Sequence, residues 1–93
     1  MAKRIGADRK REARTLAQAL GAEVTALRLS KGWSQQKLAD LVGYDVTHVR
    51  QTEQGGNPTL ELLAALASAF SVELSEIIRD TEDRVRLNRG EPG

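Results

Sequence analysis

Residues 34–54 are SQQKLADLVGYDVTHVRQTEQ, two short helical patterns separated by a turn that contains Gly43. Ser34 is a good N-cap, since its hydroxyl can accept from a backbone N–H that the first helical turn leaves unpaired. Leu38, Leu41 and Val42 then give an apolar face, with Ala39 beside them. Gly43 ends this helix after about two turns, because Gly enters the left-handed region without strain. Asp45 is the next cap, opening a helix over residues 46–54. Val46, Thr47, Val49 and Thr52 are mediocre helix formers, so tertiary packing must hold this second helix. Both helices are too short to be stable alone.

A three-residue connection containing Gly joins the two, which is the spacing of a helix-turn-helix. Ala39 is small where the second helix must cross closely. Leu38, Val42 and Val49 point into the crossing, with Thr52 and Glu53 on the same inner side, and Val46, Thr47, Arg50 and Gln51 are left facing outward. That outer set holds methyls, a hydroxyl, a guanidinium and an amide, the groups that read base edges in a major groove. Any solvated helix face is polar, but Val46 gains nothing from water, and this tips the reading toward recognition.

Upstream, Leu16, Leu20, Val24 and Leu27 recur at steps of four, four and three, placing one apolar stripe along a helix over residues 8–30. Gly21 weakens that helix by roughly 1 kcal/mol relative to Ala, which suggests two helices or one with a bend. Lys31-Gly32 reads as a stop. Downstream, residues 55–58 (Gly-Gly-Asn-Pro) are a loop. Thr59 caps a helix carrying Leu62, Leu63, Leu66 and Phe70, and a last helix carries Leu74, Ile77 and Ile78. After Arg79 only Val85 and Leu87 are large hydrophobes; the segment could extend the last helix and is expected to end disordered. Nothing reads as a strand. The expected core is Leu20, Val24, Leu27, Leu38, Val42, Val49, Leu63, Leu66, Phe70 and Ile77, with Trp33 capping it. Three segments follow: a basic, partly helical N-terminal extension at 1–15, a domain at 16–79 and a polar tail at 80–93.

Composition narrows the function. The chain has 93 residues, one His and no Cys. Disulfides, thiolate nucleophiles and thiolate metal sites are therefore absent, a zinc site is disfavoured, and a reducing, cytoplasmic setting fits. No nucleophile stands beside a base, and Gly55-Gly56 is not followed by the Lys and Ser or Thr of a phosphate loop, so no enzyme is expected and no cofactor or metal is assigned. No apolar stretch is long enough to span a bilayer, and no apolar segment follows the charged start as a secretory signal would require. Net charge is only +1, but residues 1–14 hold six basic residues against Asp8 and Glu12. Such a segment suits phosphates or an acidic partner, or is simply a solvated terminus.

Taken in order, Leu20-Gly21, Val24, Leu27-Arg28, Gly32-Trp33-Ser34-Gln35, Leu38-Ala39, Val42-Gly43, Val49, Glu53, Gly55, Asn57-Pro58, Leu66-Ala67, Phe70 and Val72 resemble the phage repressor and Cro-type helix-turn-helix family, also called XRE-like. The resemblance covers residues 20–78. It implies an all-α, compact five-helix, lambda-repressor-like DNA-binding domain, usually a dimer, acting as a transcription regulator on double-stranded DNA. It makes 46–54 the recognition helix, with Val46, Thr47 and Gln51 toward bases and Arg50 beside them. It implies that Gln35 touches a phosphate and buttresses that helix, and that Arg28 and Glu53 form a structural pair. Gln36, His48 and Asn57, with the basic Arg9, Lys10 and Arg11, are assigned to phosphates and positioning. Val72, Leu74, Ile77 and Ile78 leave room for a dimer surface.

The chain departs from the family pattern in places. Thr52 stands where a larger apolar residue is usual, and Tyr44 and Asp45 fill a turn usually made of small or hydroxyl residues. Asp45 is electrostatically unfavourable near phosphates unless its oxygens are occupied as a cap. The recognition helix has one Arg and no Lys, so non-specific affinity should be modest. The alternative function is a protein-interaction module or antitoxin component of the same fold, gripping a protein partner.

Overall fold

The computed structural model describes residues 5–90. The ends of the basic extension (1–4) and of the polar tail (91–93) lie outside them. Five helices follow in order: α1 (Ile5–Ser30), α2 (Gln35–Val42), α3 (Val46–Glu53), α4 (Leu60–Phe70) and α5 (Leu74–Asn88). No strand occurs among the described residues.

The caps read from the sequence form. Ser34 Oγ accepts from the Lys37 N–H at 3.0 Å, Asp45 Oδ1 from Thr47 at 2.8 Å, and Thr59 Oγ1 from Leu62 at 3.1 Å. Gly43 takes the left-handed conformation with φ 75° and donates to the Ala39 carbonyl, so the chain leaves α2 and enters the turn before α3 without a Cβ penalty.

Gly21 does not bend α1, which runs unbroken past it. Its lack of a side chain has another use: a Cβ there would lie 2.6 Å from the carbonyl oxygens of both Thr52 and Glu53. The backbone of α1 and the last turn of α3 therefore touch directly, and Gly21 is the contact point.

Leu20, Val24, Leu38, Ala39, Val49, Leu62, Leu66, Ala67, Phe70 and Ile77 form the buried core, with Leu27, Val42 and Leu63 packed half-buried on its margin. Of the α4 pair, Leu62 is the deeper residue and not Leu63. Leu16 and Leu41, which the apolar stripes placed inward, are exposed. Trp33 stacks on Phe70 with ring centroids 5.9 Å apart and 13° between planes, closing one end of the core.

The boundary drawn at residue 80 falls inside α5. Ile77, Thr81 and Val85 lie at steps of four and are all buried, so a stripe continues where the sequence looked merely polar. Arg84 Nε donates to Glu23 Oε1 at 2.7 Å, clamping α5 to α1 through a nearly buried carboxylate. Thr81 Oγ1 is buried without a hydrogen-bond partner.

Candidate nucleic-acid interface

α3 is fixed from behind. Val49 and Thr52 are buried beneath it, and the Thr52 hydroxyl donates to the His48 carbonyl at 2.9 Å, which satisfies the polar group that replaces a larger apolar one. Glu53, at the last turn, accepts from three directions. Arg28 of α1 donates to it through Nε (2.7 Å) and Nη2 (3.1 Å), and Gln35 of α2 through Nε2 (2.9 Å). Arg28 Nη1 also holds the Trp33 carbonyl at 2.8 Å. The two charged side chains are only 11% and 6% exposed. Burial alone would raise the Glu53 carboxyl; the bonds from Arg28 and Gln35 and the Arg28 charge outweigh it and hold it below the ordinary carboxylate value. One carboxylate thus locks the orientation of α3 to both α1 and α2.

The front of α3 is open. Thr47, His48, Arg50, Gln51 and Gln54 are exposed. Val46 is not: it is half-buried and packs against the core, so its methyls are shared between interior and surface. Val46 is thus not the fully exposed Val that its outward position implies, and the outward set is Thr47, Arg50 and Gln51. Asp45 stands at the head of the helix. The backbone N–H of Thr47, then its hydroxyl, hold the Asp45 carboxyl below its usual value, and the His48 and Arg50 charges act in the same direction. One of its oxygens is occupied as the cap, as electrostatics near a polyanion demands.

Beside α3 the loop folds back, with the Gly56 N–H donating to the Gln51 carbonyl at 2.8 Å. A groove of about 420 Å³ lies between them, bordered by Tyr44, His48, Gln51, Gln54, Asn57 and Thr59. Three residues assigned separately, His48, Gln51 and Asn57, meet here. Tyr44 and Gln54, to which the sequence gives no site role, border the groove as well; Tyr44 stands four residues before His48 and packs against it.

Other assigned residues stand elsewhere. The Gln35 side chain is committed to Glu53, and Gln36 Nε2 donates to Asp40 at 2.9 Å. Arg9, Lys10 and Arg11 are exposed on α1, about 12 Å along the helix from Gln18, which packs against Gly55. The next turn, with Glu12, Thr15 and Leu16, borders Glu82, Val85 and Arg86 of α5 and not α3. Of the four apolar residues given to a dimer surface, Ile77 is a correction. It is 1% exposed because it faces Leu66 and Phe70 in the core. Val72 and Leu74 are half-buried, and Ile78 is 40% exposed, in a shallow apolar groove with Leu16 and Leu63.

Among the described residues no helix is long and apolar enough to cross a membrane, and no group of three or more His, Cys, Asp or Glu is placed to hold a metal ion.

Known proteins share this arrangement. No curated protein sequence matches the chain. The crystal structure of the clp gene regulator ClgR from Corynebacterium glutamicum is similar in fold, with a TM-score of 0.76, 24% identity and 81% of each chain covered. The restriction-modification controller protein C.AhdI from Aeromonas hydrophila is similar at 35% identity, with a TM-score of 0.64, covering 66% of this chain and 94% of that one. A helix-turn-helix family model matches residues 24–77, a span that includes both short helices, the turn and the Arg28–Gln35–Glu53 network. The chain belongs to the Cro/C1-type helix-turn-helix family of DNA-binding regulators.

Proposed function

We propose that this DNA-binding regulator reads the major groove with α3, and that Thr47, Arg50 and Gln51 contact base edges while Val46 offers part of its methyl surface. The observation that carries the reading is the division of α3. Its back is buried and locked by Glu53, and its front presents the exposed amide of Gln51 and guanidinium of Arg50, with the Thr47 hydroxyl beside the Asp45 carboxyl at the head of the helix. His48 and Asn57 border the groove beside α3, where they suit the sugar-phosphate backbone. Gln35 and Gln36 lie at the start of α2 and act chiefly by positioning, since their amides are engaged within the protein. Arg9, Lys10 and Arg11 supply a basic segment that attracts DNA at longer range.

The protein works as a homodimer in the cytoplasm, as a repressor or controller without catalytic activity or cofactor. Likeness to a restriction-modification controller protein supports the regulatory role. The apolar groove with Ile78, Leu16 and Leu63 supports a second copy as its cover, and the half-buried Val72 and Leu74 keep part of their apolar surface for the same contact. Selection of bound duplexes from a random pool tests the reading. A near-palindromic consensus is expected, bound with a salt dependence that reflects several phosphate contacts per half-site. Recovery of no consensus would overturn it in favour of the interaction-module alternative.

A further inference from the structure

The groove beside α3 is lined by neutral groups, apart from two side chains that can ionise, Tyr44 and His48. His48 is therefore the one lining residue able to become a cation there. It is exposed, and its ring packs edge-to-face on Tyr44, with centroids 5.6 Å apart and 79° between planes. Tyr44 is itself half-buried against the core and so anchors the imidazole. The charged groups near His48 come from its own helix and turn, namely Asp45 and Arg50. Across the groove, Asn57, Pro58, Thr59 and Leu62 bring no charge. With His48 neutral, Asp45 and Arg50 cancel and the face of α3 carries no net charge. With His48 protonated, it carries +1.

A polyanion favours the second state. Histidine changes charge within the range of about pH 5–8, so proximity to phosphates can draw a proton onto it. We propose that His48 is a proton-linked contact of the reading face, taking up a proton as the protein seats on a duplex. Affinity then rises as the pH falls toward 6. The inference rests on the reading of α3 as the DNA-facing helix. Because phosphates carry no sequence, the gain is the same on an operator and on an unrelated duplex.

The test measures the affinity of the full chain, His48→Gln and His48→Lys, for the selected operator and for an unrelated duplex. Measurements run from about pH 8 to about pH 6 at fixed ionic strength. The parent is expected to gain up to about tenfold per pH unit per protomer on both duplexes. Its salt slope should steepen by about 0.9 per protomer at the acid end. His48→Gln should be flat with pH. His48→Lys should be flat and bind at least as tightly as the acid-side parent. A pH-independent parent, or a rise that survives in His48→Gln, overturns this proposal alone and leaves the reading of α3 standing. A chain that selects no duplex at any pH overturns the reading, and the proposal with it.

Discussion

Glu53 joins three helices with one carboxylate, accepting from Arg28 of α1 and Gln35 of α2 while it sits on α3. Removing it leaves a guanidinium that is 11% exposed without its counter-charge. Glu53→Gln should therefore destabilise the fold by about 3 kcal/mol at neutral pH, read as a lower urea midpoint. The pH dependence has a definite sign. A carboxyl held below its ordinary value of 4.5 contributes fully above that value and loses its contribution as pH falls through the lower folded value. Parent and variant should converge in stability only as pH falls through that lower folded value; equal stability at neutral pH would contradict the locking role. Gly21 makes the opposite kind of case. Helix propensity alone says that Gly21→Ala stabilises by about 1 kcal/mol. A Cβ placed 2.6 Å from two backbone oxygens says that it destabilises, by about 1–3 kcal/mol. Thermal unfolding decides the sign, and a raised Tm would contradict direct backbone contact between α1 and α3. The Arg28–Glu53 pair was legible through resemblance, whereas the reason for Gly21 was not. Spacing along one helix says nothing about how near another helix comes, so a contact point reads as a weakness.

At the scale of elements, α2 and α3 were legible nearly to the residue, because Ser34, Gly43 and Asp45 are strong local signals and all three act as read. α5 was not. Its N-cap is Glu73, whose side chain and that of Glu76 form a reciprocal cap, a pairing that the usual Ser or Thr signal does not announce. Its inner stripe runs Ile77, Thr81, Val85, and a threonine in the middle conceals the period. The buried Val85 and the Arg84–Glu23 clamp make residues 80–88 part of the domain. Val85→Ala should cost roughly 1.5–3 kcal/mol, from two lost methyl groups and the space they leave. Truncation after Arg79 should cost more, since it also strands Glu23. Chemical denaturation of both variants checks this, and a truncated chain as stable as the parent would show α5 to be dispensable beyond its first turn. On the front of α3, Thr47, Arg50 and Gln51 are exposed as their outward positions imply, and Val46 is half-buried. A first-turn residue can lean back onto the core, and an outward position on a helical wheel does not reveal this.

For the whole molecule, under the proposed reading each domain sets one helix on the duplex, and a face of two or three residues on one helix reaches only a few base pairs. A two-fold pair would set two copies of α3 about 34 Å apart on one face of the duplex. Ile78→Glu, on the exposed apolar face, should leave the monomer folded and abolish the dimer in sedimentation; an unchanged dimer would move the interface elsewhere. Base reading by α3 depends on Gln51 more than on any other residue, since its amide is exposed on a helix locked from behind. The direct measurement is the affinity of Gln51→Ala and the parent for the selected operator, for each single-base variant of that operator, and for a random duplex. Gln51→Ala should lose about 1–3 kcal/mol on the operator, relax its preference at one base pair per half-site, and change almost nothing on the random duplex. Operator binding by Gln51→Ala as tight and as selective as that of the parent would contradict base reading by α3.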